Sequence, residues 1–221
     1  MKLFDAILWD MDGTLVDSEP IWAEEESKLM AEYGVTWTES DSHACLGGPI
    51  SKLDTYMRNL VSEPLAPNVL ANQLVDRMAK RLTTDTQFAA GAFDLLSEFQ
   101  SANLPLALVT ASNRDIMNSV LSSFDKSYFP VAVCSEDVSQ SKPNPEGYLL
   151  AAEKLNVDIE RCLIIEDSLT GMTAAIDSGA YLLGINPHHS LKKYERAVFI
   201  SGLTDISMEY LYAQFSEIMA K

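Results

Sequence analysis

Short apolar segments, each bounded by loop-forming residues, recur along this chain and are separated by helix-length stretches. Four segments are clear, and two further candidates follow the helix-ending pair Ser178-Gly179. They cover residues 4–9, 106–109, 131–133 and 162–165, and then 181–185 and 198–200. Strands that alternate with helices form parallel sheets, and continuously apolar strands are typical of sheets covered by helices on both faces. The pattern therefore predicts an α/β fold with a doubly wound, Rossmann-like parallel sheet.

Residues 16–89 interrupt this pattern, because they contain no convincing strand. They contain three helical stretches instead, at residues 19–33, 50–61 and 67–82. Pro67 suits the first turn of the third helix, where its missing N–H costs nothing. We predict an all-helical cap over residues 16–89, inserted into a core formed by residues 1–15 and 90–221. Because the chain would enter and leave the cap at neighbouring points, these borders form a natural hinge.

An excess of acidic residues restricts the partners of the chain. Asp and Glu total 32 against 16 Lys and Arg, which gives a net charge of -16. This charge opposes binding to nucleic acids and to anionic membranes, so we expect neither as a partner. A phosphorylated ligand must be attracted locally, and we expect a small phosphorylated metabolite.

The chain lacks the marks of a secreted or membrane-spanning protein. It has no signal-peptide pattern and no stretch of about 18 apolar residues. Its cysteines, Cys45, Cys134 and Cys162, are scattered and form no CxxC pair. They therefore indicate neither a disulfide framework nor a zinc site, and we expect small buried side chains. We expect a cytoplasmic protein that is a monomer or a weak homodimer.

Polar and charged residues follow four of the predicted strands, at the carboxyl ends where open α/β sheets bind their ligands. The groups are Asp10-Met11-Asp12-Gly13-Thr14, Thr110-Ala111-Ser112-Asn113, Ser141-Lys142-Pro143-Asn144-Pro145 and Glu166-Asp167-Ser168. Residues i and i+2 of an extended chain point the same way, so Asp10 and Asp12 project together, and Gly13 permits a tight turn beside them. With Asp167 added, the set of ligands is all oxygen and suits Mg²⁺.

These residue types fit phosphoryl transfer through a covalent intermediate. A carboxylate can attack phosphorus when a metal ion and a positioned cation neutralise the phosphoryl oxygens, and Lys142 is the candidate cation. Thr110 or Ser112 would donate hydrogen bonds to the same oxygens. The second aspartate of the first group would move the proton of the leaving alcohol and later that of water. Thr110 and Ser112 could instead cap the helix that begins near residue 114.

The four groups together resemble the motifs of the haloacid dehalogenase superfamily of phosphatases, in the branch with a helical cap inserted after the first motif. Residues 10–15 (DMDGTL), 110–112 (TAS), 142–145 (KPNP) and 166–171 (EDSLTG) resemble its four motifs in order. The resemblance implies that Asp10 is the nucleophile and Asp12 the acid and base. It further implies that Asp10, the backbone carbonyl of Asp12 and Asp167 bind Mg²⁺, with Glu166 included in the metal site.

Within this superfamily the chain is most similar to small-sugar phosphate phosphatases and to β-phosphoglucomutase. The mutase uses a cap histidine and a basic cap loop, whereas here Trp22 occupies the histidine position and Lys52 is the one basic residue of residues 46–52. Hydrolysis of a phosphorylated sugar or sugar acid is therefore favoured over a mutase reaction. A non-catalytic phosphate-binding module is the alternative of another class.

The predicted contacts with the substrate come from both parts of the chain. Trp22 either packs between helices or stacks on a sugar ring, and the run 24–26 (EEE) is predicted to be a solvated helix face. The predicted substrate-binding residues are Gly13, Glu19, Trp22, Gly48, Lys52, Ala111, Ser112 and Asn113.

Overall fold

Six parallel strands form one sheet in the computed structural model, which describes residues 2–45, 50–124, 128–185 and 194–220. The order across the sheet is β3-β2-β1-β4-β5-β6. The strands are β1 (Ala6–Trp9), β2 (Leu106–Val109), β3 (Val131–Val133), β4 (Cys162–Glu166), β5 (Tyr181–Ile185) and β6 (Ala197–Ile200). The predicted doubly wound parallel sheet is confirmed. The strand order reverses between β1 and β4, and the ligands of such sheets bind at this switch point.

Helices connect these strands and cover both faces of the sheet. Those of the described residues are α1 (Glu19–Glu32), α2 (Glu39–Cys45), α3 (Ile50–Leu60), α4 (Val69–Asp85), α5 (Ala92–Ser101), α6 (Arg114–Ser122), α7 (Glu146–Leu155), α8 (Leu169–Ser178) and α9 (Met208–Met219). Two short 3₁₀ turns, Ser135–Asp137 and Ile159–Arg161, precede α7 and β4. Each of these helices is too short or too polar to cross a membrane.

Alternate residues of the strands pack into two separate layers. Ile7 and Trp9 of β1 belong to the apolar cluster that includes residues of α5, α6 and α9, while Leu8 belongs to the cluster with α7 and α8. All residues of the central strands β1 and β4 are 0% exposed, which explains why these strands have no polar face. The three cysteines are free and buried, as predicted.

The first strand begins two residues later than its apolar pattern predicted. Its pairing with β4 starts at Ala6, opposite Cys162. Phe4 is nevertheless buried, because its ring packs edge-on against Tyr181 and Phe215 at centroid distances of 5.7 and 5.3 Å. Burial by aromatic contacts thus extends the apolar signal beyond the hydrogen-bonded strand.

Helices α1 to α4 lie between β1 and β2 in sequence and add no strand to the sheet. Helix α2 was not among the three predicted helices, because its one buried residue, Cys45, leaves no apolar periodicity. The signal that marks α2 is polar: the Asp41 carboxylate accepts hydrogen bonds from the Thr38 backbone N–H and hydroxyl, at 2.8 and 2.6 Å. This is the pairing expected at the start of a helix.

The prediction of a solvated face at residues 24–26 is wrong for two of its three glutamates. Glu25 and Glu26 are 5% and 6% exposed. Glu25 forms an ion pair with Arg81 of α4 at 2.7 Å, and Glu26 accepts the indole N–H of Trp37 at 3.0 Å. A buried carboxylate needs an ion pair or hydrogen bonds, and here residues distant in sequence supply them. A local run of charged residues therefore does not reveal that Glu25 and Glu26 are buried.

The two chain segments that lead into and out of α1–α4 lie side by side. Val16 forms an isolated bridge with Phe88, and hydrogen bonds of 3.0 Å join Asp17 N to Gln87 O and Ala89 N to Leu15 O. The chain therefore enters and leaves α1–α4 at neighbouring points, a few residues after the end of β1.

Candidate active site

Carboxylates from β1 and β4 meet at the carboxyl edge of the sheet. The register pairs Trp9 with Ile165, and the Asp10 backbone N–H donates to Ile165 O at 3.0 Å. The residues that follow the paired ones are therefore neighbours. Asp10, Glu166 and Asp167 each offer one carboxylate oxygen, and these oxygens all lie within 4.8 Å of one another.

A tight turn after β1 brings the backbone against Asp167. Gly13 has a φ of +81°, and a Cβ at this position would clash with Asp167 Oδ2. Only glycine adopts this conformation readily and leaves room for the carboxylate. Thr14 then donates its hydroxyl to Asp167 Oδ1 at 2.9 Å. Thr14 is a site residue that sequence reasoning did not assign, although it belongs to the first motif.

Three hydroxyl groups hold the carboxylate of Asp12. Ser18 donates to its Oδ1 at 2.7 Å, Ser112 donates to its Oδ2 at 2.7 Å, and Thr110 donates to the same oxygen at 3.3 Å. Ser18 is fully buried where the chain enters α1, and nothing in its local sequence indicated this contact. The capping alternative fails for Ser112, because Asn113 caps α6 by accepting the Ile116 N–H at 3.0 Å.

Lys142 lies between two carboxylates of the site. Its ammonium donates to Asp10 Oδ1 at 2.5 Å, to Glu166 Oε1 at 2.6 Å and to Val109 O at 3.0 Å. The lysine side chain is 7% exposed. A buried ammonium with two anionic partners stays charged: burial works to lower the pKa of Lys142, but Asp10 and Glu166 hold it well above its usual range.

The carboxylates carry more negative charge than one lysine neutralises. Burial and repulsion from Glu166 raise the pKa of Asp10 well above its usual range, despite the opposing effect of Lys142. The same two causes raise the pKa of Asp167 to about 7. A divalent cation would remove this repulsion, and buried carboxylate oxygens are ligands that suit Mg²⁺. The donor set thus fits the predicted metal ion.

Glu166 differs from the other two carboxylates because both of its oxygens already accept hydrogen bonds. Oε1 accepts from Lys142 and from the Tyr148 hydroxyl, and Oε2 accepts from the Ser168 N–H and hydroxyl, both at 3.0 Å. The carboxylate fills the space beside Gly171, where an added Cβ would clash with Glu166 Oε1. Four hydrogen bonds from described residues thus fix the orientation of the Glu166 carboxylate.

The titration of Asp167 predicts how folding stability depends on pH without Mg²⁺. The pKa is about 7 in the folded protein, so between about pH 5 and 7 the folded state binds more protons than the unfolded state. The free energy of unfolding should therefore fall as the pH rises through this window. Thermal melts of metal-free protein should show a falling Tm, and saturating Mg²⁺ should reduce the slope. A Tm that rises from pH 5 to 7, or a slope unchanged in Asp167→Asn, would contradict the assignment.

The remaining predicted substrate-binding residues differ in how exposed they are and in what they contact. Ala111 and Glu19 are exposed, and repulsion from Glu19 contributes to the raised pKa of Asp167, after burial and Glu166. Trp22 is half-buried against the apolar cluster of the helices. Lys52 donates to Ala44 O at 3.2 Å. Gly48 lies outside the described residues.

Comparison with known proteins gives the same family as these residues. A family model described as haloacid dehalogenase-like hydrolase matches residues 7–185. The validoxylamine A 7'-phosphate phosphatase of Streptomyces hygroscopicus subsp. limoneus is 29% identical over 216 residues, which are 95% of this chain and 99% of that protein. The phosphorylated carbohydrates phosphatase of Thermotoga maritima is 31% identical over 178 residues, covering 79% of this chain and 82% of that protein.

The fold has a similar counterpart among solved structures. The β-phosphoglucomutase of Clostridium difficile superimposes with a TM-score of 0.81 at 21% identity, over 99% of this chain and 100% of that one. This structural similarity shows the fold, whereas the family model and the relatives identify the family. Since that model spans most of the chain and the four motifs meet at one edge of the sheet, this protein belongs to the haloacid dehalogenase-like hydrolase family.

Proposed function

We propose that this protein hydrolyses a small phosphate monoester, a phosphorylated sugar or sugar acid, through an aspartyl phosphate on Asp10. The observation that carries the proposal is the position of Lys142, which bridges Asp10 and Glu166 while Asp167 offers an oxygen to the same cluster. The coarser statement, that the protein is a phosphoric monoester hydrolase, has the support of the family and of its phosphatase relatives. Those relatives act on phosphorylated carbohydrates or related compounds by name, which favours a sugar phosphate here.

In the first step, an Asp10 oxygen forms a bond to phosphorus while the bond from phosphorus to the leaving oxygen breaks. Lys142 keeps its charge at the site and can donate to the phosphoryl oxygens, which gain negative charge as the transfer proceeds. Asp10, the Asp12 carbonyl and Asp167 would hold Mg²⁺, with Glu166 in the same cluster. When bound, Mg²⁺ supplies further neutralisation of that charge.

Asp12 moves the proton in both steps. Protonated Asp12 gives its proton to the leaving oxygen, which departs as an alcohol. The Asp12 carboxylate then takes a proton from water as the water oxygen attacks phosphorus, and the bond to Asp10 breaks to release inorganic phosphate. The hydroxyls of Ser18, Ser112 and Thr110 orient Asp12 for this role.

The division into domains is part of the proposal. Residues 1–15 and 90–221 would form the catalytic core and residues 16–89 a cap that closes over the substrate and excludes water. The paired segments at Val16 and Phe88 support a hinge at this border. Gly13, Ala111, Ser112 and Asn113 would lie beside the phosphoryl group, and Glu19, Trp22, Gly48 and Lys52 beside the leaving group. A cytoplasmic monomer or weak homodimer completes the proposal.

Release of inorganic phosphate from a panel of sugar phosphates, sugar-acid phosphates, phosphoglycolate and nucleotides tests the proposal. We expect hydrolysis that depends on Mg²⁺, with a decrease of about 100-fold or more after chelation and recovery when Mg²⁺ is restored. A generic aryl phosphate serves as a reference for intrinsic activity. Absence of hydrolysis across the panel, or full activity in the chelator, would contradict it.

A sugar phosphomutase is the second candidate, favoured by the structural similarity to β-phosphoglucomutase. Incubation with a hexose 1-phosphate, with and without a bisphosphate activator, separates the two. A mutase forms the isomeric phosphate, whereas the proposed phosphatase releases inorganic phosphate and shows no need for the activator.

A further inference from the structure

Tyr148 lies beside Lys142 and Glu166 and belongs to none of the four motifs. It belongs to the first turn of α7, directly after the loop that carries Lys142, and it is 1% exposed. Its hydroxyl donates to Glu166 Oε1 at 3.0 Å. Both groups are buried, so a hydroxyl or a carboxylate oxygen left without its hydrogen bond would lower the stability of the folded protein. The Tyr148–Glu166 hydrogen bond therefore stabilises this arrangement.

The ring of the same tyrosine contacts the lysine. Lys142 Nζ lies 5.0 Å from the centroid of the Tyr148 ring, within the range of a cation–π interaction. One side chain therefore touches both members of the Lys142–Glu166 ion pair, the cation with its ring and the anion with its hydroxyl.

Among the described residues, Tyr148 supplies one of four hydrogen bonds to the Glu166 carboxylate. The other three come from Lys142 and from the N–H and hydroxyl of Ser168. An ionised carboxylate has about four acceptor positions, so these contacts use its capacity. Glu166 thus holds the lysine in a fixed position. Loss of the tyrosine hydroxyl would remove one of the two hydrogen bonds that Glu166 Oε1 accepts.

We propose that Tyr148 is a positioning residue that holds Lys142, through Glu166 and its own ring, in line with the phosphoryl oxygens. The inference rests on the proposed function, because Lys142 is the cation assigned to the phosphoryl group. The hydroxyl of Tyr148 bonds Glu166 and its ring faces Lys142, so we expect its effect to pass through this ion pair.

Tyr148→Phe tests this, because it removes the hydroxyl and keeps the ring. We expect kcat/KM for the preferred sugar phosphate to fall about tenfold, and inorganic phosphate to bind about fivefold more weakly in calorimetry. Tyr194→Phe is the matched control, since its hydroxyl donates to Ala180 O at 2.8 Å outside the site. The control should change neither quantity by more than about twofold.

A double-mutant cycle separates positioning from general stability. In the Glu166→Gln background, Tyr148→Phe should lower kcat/KM by less than about threefold, because its charged partner is gone. An undiminished tenfold loss there, or phosphate binding equal to wild type in Tyr148→Phe, would overturn the inference while leaving the proposed function intact. A wild type that binds phosphate but hydrolyses no monoester would instead overturn the proposed function, and the phosphate affinities would still decide the role of Tyr148.

Discussion

Asp10→Asn is expected to lower kcat for phosphate release by about 10⁴-fold or more, because an amide cannot replace the carboxylate that we propose attacks phosphorus. The side chain keeps its size and can still accept the Lys142 hydrogen bond, so the substitution tests chemistry and not packing. Stability should not fall, since one of three mutually repelling carboxylates becomes neutral. Initial rates and thermal melts in the same buffer check both expectations.

Asp177→Asn is a suitable control for that measurement. Asp177 is exposed in α8, so Asp177→Asn makes the same chemical change on the protein surface. Its activity should match wild type within about twofold. Activity in Asp10→Asn above about 1% of wild type, measured on freshly prepared protein, would show that another group is the nucleophile.

Lys142→Met is expected to lower both activity and stability. The substitution keeps an unbranched chain of similar length but leaves Asp10 and Glu166 buried without their shared cation. Removing one partner of a buried ion pair costs about 3–5 kcal/mol of folding free energy. Because Lys142 is the cation that we propose for the phosphoryl group, its loss should reduce kcat/KM by about 10³-fold.

Two measurements separate these effects of Lys142→Met. Denaturant unfolding gives the stability change, and rates at a temperature well below the Tm give the catalytic change. Lys154→Met, on the outer end of α7, is the control with the same chemistry. If folded Lys142→Met hydrolyses the substrate at nearly the wild-type rate, Lys142 is not the cation of the phosphoryl site. The inference about Tyr148 would then also be wrong.

The sheet and the strand-end residues could be predicted because their signals are local. Apolar runs locate β2, β3 and β5 to the residue, and the carboxyl ends of parallel strands necessarily share one edge. The meeting of Asp10 with Asp167 follows from this topology once β1 and β4 are neighbours. The motifs of the family then assigned roles that spacing alone left open between the two aspartates.

Residues whose roles depend on distant partners could not be predicted in this way. Ser18 bonds Asp12 because the turn after β1 brings the chain back toward residue 12, and Tyr148 reaches Glu166 because α7 packs against β1, β2 and β3. Glu25 and Glu26 are buried by contacts with α4 and with Trp37, which a charge run does not show. Helix α2 lacks apolar periodicity altogether. Each of these facts belongs to tertiary packing.

Mass spectrometry of acid-quenched protein during a single turnover tests the covalent step most directly. With Mg²⁺ and the preferred sugar phosphate, the peptide that contains Asp10 should carry a phosphoryl group that appears and then decays as inorganic phosphate forms. The same peptide from Asp10→Asn should stay unmodified. A phosphoryl group on a different residue, or an unmodified Asp10 peptide throughout a complete turnover, would contradict the aspartyl-phosphate mechanism.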